Sequence, residues 1–252
     1  LPDIGIKCHA GLMGIIRKIR DLLPIPAEGN KRQPGLRIVP TADQMQTDMV
    51  WDLLTEQIEH GWDKALPKPG PNPDDLYRPT LIGAWSENRL VGGAFVMPDS
   101  QDAQAFMSIG ADKAAQAFER SCCMIQGIAV AAEHRREGIG LKIKRHCGLW
   151  AAQHDACMVL SIPTNDAARR MNEKAGYDVL PPQVALCIKV ADHDRAIACC
   201  FPMDDGVADA CWAFHIVAQP KWAPLAIGQW DMEGSGRSHD DPVGWLYRAD
   251  VL

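Results

Sequence analysis

Apolar residues along this chain fall in short runs separated by turn-forming residues, a spacing that predicts alternating strands and helices. The clearest stretch is 124–143, MIQGIAVAAEHRREGIGLKI. A strand-like run ends at Val130, a turn carries Arg135, Arg136, Gly138 and Gly140, and a helix is expected from Gly138 to about His154. That helix has Ile139, Ile143, Cys147 and Trp150 on one side. Upstream, 36–39 reads as a short strand. Thr41 is expected to cap a helix to about His60, with Met45, Met49, Leu53 and Ile58 as its apolar stripe. The stretch 66–79, with five prolines, is a loop. Two apolar runs in 81–96, separated by Ser86, Glu87, Asn88 and Arg89, predict a β-hairpin. Residues 99–120 read as a helical insertion.

Downstream, 156–162 predicts a buried strand. A helix over 166–175 follows, capped by Thr164 or Asn165 and stopped by Gly176. Residues 177–190 return to extended structure, clearest in ALCIKV, and 207–218 fits a strand or a helix equally well. Residues 1–35 hold a short amphipathic segment and a loop, read as an arm, a lead-in helix or a contact that would build a homodimer. The pattern divides the chain into an arm (1–35), a core (36–190) and a Trp-rich extension (191–252) packed on that core. The extension includes a glycine- and aspartate-rich loop over 231–244.

Composition narrows the class. With 252 residues, 47% apolar and 23% charged, the chain is ordinary for a globular protein and long enough for a substantial core. No apolar run reaches the roughly 18 residues of a membrane span, so no membrane association is expected. The first twenty residues mix Lys7, Arg17, Lys18 and Arg20 with apolar positions and do not read as a signal peptide. The nine cysteines include two adjacent pairs and no C-x-x-C or zinc-type spacing. The expectation is reduced, buried thiols, no metal and a cytoplasmic setting.

Residues 191–252 hold ten acidic and four basic residues, so their net charge of −6 accounts for that of the whole chain. Within the balanced remainder, Arg135, Arg136, Lys142, Lys144 and Arg145 cluster with only Glu137 opposing them. Such a cluster suits a discrete anion better than nucleic acid, which would call for a broad basic face. Lys144 and Arg145 are read as part of a solvated face.

An apolar strand, a glycine-bearing turn and a helix start together make a phosphate cradle. A dinucleotide fingerprint would need a third glycine at Ile143, and a phosphate-loop NTPase would need Gly-Lys-Ser/Thr; both fail. The order IAV followed by Arg135-x-x-Gly138-x-Gly140 resembles the acyl-CoA loop of the GNAT superfamily of acyl-CoA-dependent N-acyltransferases. NDAARRMNEKAGY, 165–177, is similar to that family's later motif, and the two lie in the expected order. The resemblance covers roughly 36–190 and is strongest over 124–177.

The resemblance implies a mixed α/β fold: a mostly antiparallel central sheet with a splayed parallel pair, flanked by helices. It implies acetyl-CoA as co-substrate. The pantetheine arm would lie along Ile128, Ala129 and Val130, and the diphosphate on backbone N–H groups from Arg135, Arg136, Glu137, Gly138, Ile139, Gly140 and Leu141. Asn165, Ala168 and Asn172 share one helix face that would border the pantetheine and thiol. Asn172 stands where many members carry a tyrosine that protonates the leaving thiolate; asparagine has no titrating proton to give.

The implied activity is N-acetyl transfer to a primary amine. A small cationic acceptor is the expectation, because an acidic extension would concentrate one. A peptide lysine or N-terminus as acceptor, and a non-catalytic acyl-CoA-binding module, are the alternatives. For the base, the candidates are Glu56, Glu59, His60, Asp63, Glu133 and His134, with Gln126 as a water holder; the sequence leaves the choice open.

Overall fold

The central strands of this protein are apolar at nearly every position because both faces of their sheet are covered. The computed structural model describes residues 35–59, 62, 65–192, 195–203, 206–231 and 244–249. The strands are β1 (Arg37–Pro40), β2 (Thr80–Ser86), β3 (Arg89–Pro98), β4 (Cys122–Val130), β5 (Met158–Ser161), β6 (Asp178–Val179), β7 (Val184–Asp192), β8 (Arg195–Phe201), β9 (Ala213–Ile216), β10 (Leu225–Asp231) and β11 (Gly244–Arg248). The helices are α1 (Gln44–Gln57), α2 (Ser100–Ser108), α3 (Asp112–Ser121), α4 (Ile139–Gln153) and α5 (Asp166–Ala175).

One sheet has the order β1-β2-β3-β4-β5-β9-β6, and a second has β11-β10-β7-β8. Every described pair is antiparallel except β4 with β5. Helix α4 covers one face of the first sheet through Ile139, Ile143, Cys147 and Trp150. The other face is buried with Val50 and Leu54 of α1, Phe106 and Phe118 of α2 and α3, and Leu186, Ile188 and Phe201 of the second sheet. Adjacent glycines on β3 serve the two helices in turn. A Cβ on Gly92 would sit 2.8 Å from Ile143 Cδ1, and one on Gly93 would sit 2.7 Å from Val50 Cγ1.

Several expectations are corrected by packing. Helix α1 is capped by Asp43, whose side chain accepts from the Gln46 N–H, and not by Thr41. It buries Thr47, Val50 and Leu54, while Met45 and Met49 are 67% and 40% exposed. The insertion is two helices, broken where Gly110 takes φ +73°. The hairpin closes in a two-residue turn at Glu87 and Asn88, both with positive φ. Residues 213–216 form a strand, and it lies inside the first sheet, between β5 and β6.

The cysteines also depart from expectation. Cys187 and Cys200 are cross-strand partners of β7 and β8 and form a disulfide. Side chains alternate along a strand, so the neighbouring Cys199 faces the other way and stays a free, buried thiol. The expected segment at 1–35, apart from Gly35, the base candidates His60 and Asp63, and the loop at 232–243 lie outside the described residues.

Candidate functional site

The site is built where β4 parts from β5. Their parallel register runs from Cys122↔Met158 to Ile125↔Ser161 and stops there, whereas β4 continues against β3 as far as Val130↔Gly92. Among the described residues, the last residues of β4 therefore have a backbone edge with no strand on the β5 side. A register shift marks the parting point: Phe95 faces Gly127 and Val96 faces Ile125, leaving Gln126 bulged. One extra residue flips the alternation that follows. Ile128 and Val130 thus pack toward α4, while Ala129 joins the core on the α1 side. Gln126 is half-buried, its amide 3.5 Å from the Met97 sulfur.

Past the open edge the chain makes a 3-10 turn (Ala132–His134) and enters α4. Arg136 and Gly138 both adopt left-handed backbone, at φ +68° and +78°. A side chain is strained there, and glycine is not. Gly138 sits at the N-cap position and offers no side-chain bond to the helix, so the first-turn N–H groups, positive end of the helix dipole, face outward without a cap. Left-handed residues alternating with ordinary ones also turn successive N–H groups into a concave nest suited to an anion. Gly140 allows close approach of α5: a Cβ there would lie 3.2 Å from Met171 Sδ and 3.5 Å from Val130 Cγ2.

The side chains of the turn are largely committed elsewhere. The Arg135 guanidinium donates to Gln57 Oε1 at 2.7 Å and to the Val130 carbonyl at 3.4 Å, tying the turn to the end of α1. His134 Nδ1 lies 3.6 Å from Glu137 Oε1. Arg136 and Glu137 are exposed, and Ile139 is buried in the core. What the turn presents to solvent is Arg136 and the backbone N–H groups of the helix start.

On α5, Asn165 caps the helix, its Oδ1 accepting from the Ala168 N–H at 2.9 Å. Asn172 is 1% exposed, and its amide donates to the Ala168 carbonyl at 2.9 Å. Its Oδ1 is buried with no hydrogen-bond partner. Beneath these, Lys144 is not on a solvated face: it is 1% exposed, with Nζ 4.1 Å from the centre of the Tyr177 ring. Burial pushes its pKa down to about 7. Arg145 is exposed as expected and donates to the Lys174 carbonyl. The base candidates Glu56, Glu59 and Glu133 are exposed, and His134 is half-buried beside Glu137.

Sequence reading missed the residues that cover β4 on the α1 side. A Cβ on Gly127 would lie 2.7 Å from Ile58 Cδ1 and 3.0 Å from Trp62. Trp62 packs edge-on against Trp51 (5.1 Å between centroids) and Phe95 (6.2 Å). Only Gly127 hinted at this contact, as a glycine inside an apolar strand marks a close approach.

The sequence matches the model of the Acetyltransferase (GNAT) family over residues 47–177. Three solved structures illustrate what the fold is similar to. An acetyltransferase of Bacillus subtilis, in complex with CoA, is 15% identical with a TM-score of 0.45, and the match covers 73% of this chain and 99% of that one. A GNAT family acetyltransferase of Elizabethkingia anophelis with acetyl-CoA bound is 16% identical with a TM-score of 0.45, over 73% and 99%. The ribosomal-protein-S18-alanine N-acetyltransferase of Escherichia coli is 12% identical with a TM-score of 0.42, over 73% and 94%. No curated protein matches the chain.

Proposed function

The chain belongs to the acetyltransferase (GNAT) family, and from that premise we propose that it transfers the acetyl group of acetyl-CoA to a primary amine at the open edge of β4. One observation carries this reading: an unpaired strand edge runs directly into an uncapped, glycine-lined helix start. The edge supplies peptide groups for the amides of a pantetheine arm at Ile128, Ala129 and Val130. The N–H groups from Arg135 through Leu141 supply the diphosphate seat. The fit is one of backbone to anion: the space a Cβ on Gly138 would take is open, while Gly140 lets Met171 and Val130 close in with no side chain between them. Asn165 and Ala168 border the arm, although the Asn165 oxygen already serves as the helix cap.

In this reading acetyl-CoA supplies an activated thioester, and the chain orients it. A backbone N–H near Ile128 polarises the carbonyl oxygen as it gains charge. The amine nitrogen bonds to the carbonyl carbon and the carbon–sulfur bond breaks. An alkyl amine with a pKa near ~10 must first lose a proton. With Glu56, Glu59 and Glu133 at the surface, that proton, and the second one the nitrogen sheds as the amide forms, pass to solvent.

No tyrosine serves the leaving sulfur. Tyr77 donates to the Cys122 carbonyl, Tyr177 is buried against His215, and Tyr247 belongs to β11. The sulfur departs as thiolate, which a thiol of pKa about 8.5 tolerates.

Calorimetry with CoA tests the seat. Gly140→Leu and Gly138→Val should each weaken CoA binding by at least about tenfold, the scale of losing one or two charge-assisted hydrogen bonds, with the far-UV spectrum retained. Unchanged affinity in both variants would remove the diphosphate from this turn. Release of CoA thiol in the presence of amines tests the transfer itself.

A further inference from the structure

Asp99 and Asp102 stand where the chain leaves β3 for the inserted helices α2 and α3. Asp99 caps α2, its Oδ1 accepting from the Asp102 N–H at 3.1 Å. Its own N–H donates to the Cys122 carbonyl, at the start of β4, at 3.0 Å. The residue is 1% exposed. The second oxygen of each carboxyl, Asp99 Oδ2 and Asp102 Oδ2, is buried and meets no donor among the described residues. The two side chains are nevertheless within hydrogen-bonding reach of each other. Ionised carboxylates only accept, so as two ions they would meet in the interior with no hydrogen between them.

The surroundings provide no counter-charge. Tyr77 has its hydroxyl committed to the Cys122 and Glu119 carbonyls. Cys122, Cys123 and Cys157 are thiols that burial keeps neutral. Glu119, half-buried on α3, adds a further negative charge. Among the described residues no cation acts on either carboxyl. Burial first, and for Asp99 the charge of Asp102 next, raises both groups above the ordinary 3.8. Two carboxyls that share one site do not both ionise readily.

We propose that Asp99 and Asp102 hold one proton between them in the folded chain, as a carboxylic acid–carboxylate pair, and that this proton is a pH-sensitive fastening of α2 to the end of β3. One O–H donated across the pair satisfies both orphaned oxygens and leaves a single charge, which the Asp102 N–H already serves. Helix α2 carries Phe106, packed against Phe118 of α3 and Phe201 of β8. The fastening therefore also seats the second sheet. Unfolded, both carboxyls release their protons near 3.8, whereas the folded pair keeps one to higher pH. The stabilisation is complete below that value and is lost as pH climbs through the titration of the folded pair.

The full chain is followed by infrared spectroscopy in heavy water, by thermal melts and by amide hydrogen exchange. At pH 7 the wild type should show the carbonyl stretch of a protonated carboxyl, and Asp99→Asn should lack it. Asparagine keeps the cap, and its amide puts a permanent donor where the proton was. From pH 5 to 8 the wild type should therefore lose at least about 3 °C in Tm relative to Asp99→Asn, the scale of one retained proton. The wild-type α2 amides should lose protection relative to those of α4 over the same range. Asp102→Asn gives the same readouts should Asp99→Asn not fold. Absence of the carboxyl band at pH 7, or a band that survives both substitutions, would overturn the proposal. So would melts of wild type and variant that run parallel with pH, or α2 protection that pH leaves unchanged.

Discussion

Lys144 carries the sharpest consequence of burial at a single position. Its ammonium is surrounded by Tyr177, Cys123, Cys147 and His215, and desolvation lowers its pKa to about 7 from 10.5. The Tyr177 ring face offsets part of that penalty for the charged form. Between those two pKa values the unfolded chain holds a proton that the folded chain has released, so stability rises as pH increases from about 7 toward 10.5. His215, also lowered by burial, contributes in the same direction below its ordinary value of 6.5. Lys144→Met keeps the volume without the charge. It should raise stability at pH 7, by at most on the order of 4 kcal/mol, and flatten the rise toward pH 10 in urea melts taken at several pH values. An undiminished slope would show that Lys144 titrates normally in the fold. Asn172 is the opposite case: buried and neutral, with one oxygen unsatisfied, it adds no pH dependence of its own.

At the scale of elements, the second sheet depends on a covalent link that its strands alone do not supply. The Cys187–Cys200 bond joins β7 to β8 across 13 positions, with Cys187 packed against Trp230 on the sheet face turned from the main core. Closing a loop of that size is worth about 3 kcal/mol. A thiol reductant should therefore lower the melting temperature of the protein and change Trp230 fluorescence, and Cys200→Ser should already show the lowered value and no response to reductant. A wild-type melt indifferent to reductant would mean that the bond contributes nothing. The same strand pair shows why adjacent cysteines behave differently: Cys199, one residue along, faces the apolar core as a thiol whose pKa burial raises to about 11.

For the whole molecule, the motif-bearing region is not a folding unit. The family match ends at residue 177, yet β9 at 213–216 is hydrogen-bonded between β5 and β6, with Phe214 opposite both Leu160 and Asp178. The second sheet likewise joins β7, which spans residue 190, to three strands that follow it, and buries Leu186, Ile188, Leu225 and Ile227 in the core shared with α1 and β3. Removing residues 207–252 strips an interior strand and uncovers that core. The truncated chain should lose cooperative unfolding and bind a hydrophobic dye. A cooperative melt with intact CoA binding would show instead that the sheet closes without β9.

Local sequence was enough for the turn between β4 and α4 and for α5. A positive-φ glycine, an uncapped helix start and an asparagine cap are settled by residues a few positions apart, so 124–143 and 165–177 were legible as they stand. The same holds for the strands, whose apolar runs reported burial on both faces. Long-range packing decided the rest. The bulge at Gln126 is a one-residue shift within the β3–β4 pairing, sited where the pairing with β5 stops, and it reverses which side chains face each helix. The apolar stripe expected on α1 was turned because β3 offered its glycine, not its bulk, to Val50. Trp62 over Gly127, Lys144 under Tyr177, and Cys187 beside Cys200 are contacts between segments whose proximity no local dihedral preference encodes. Backbone conformation and capping are short-range properties of the chain; burial and pairing depend on which distant surface arrives.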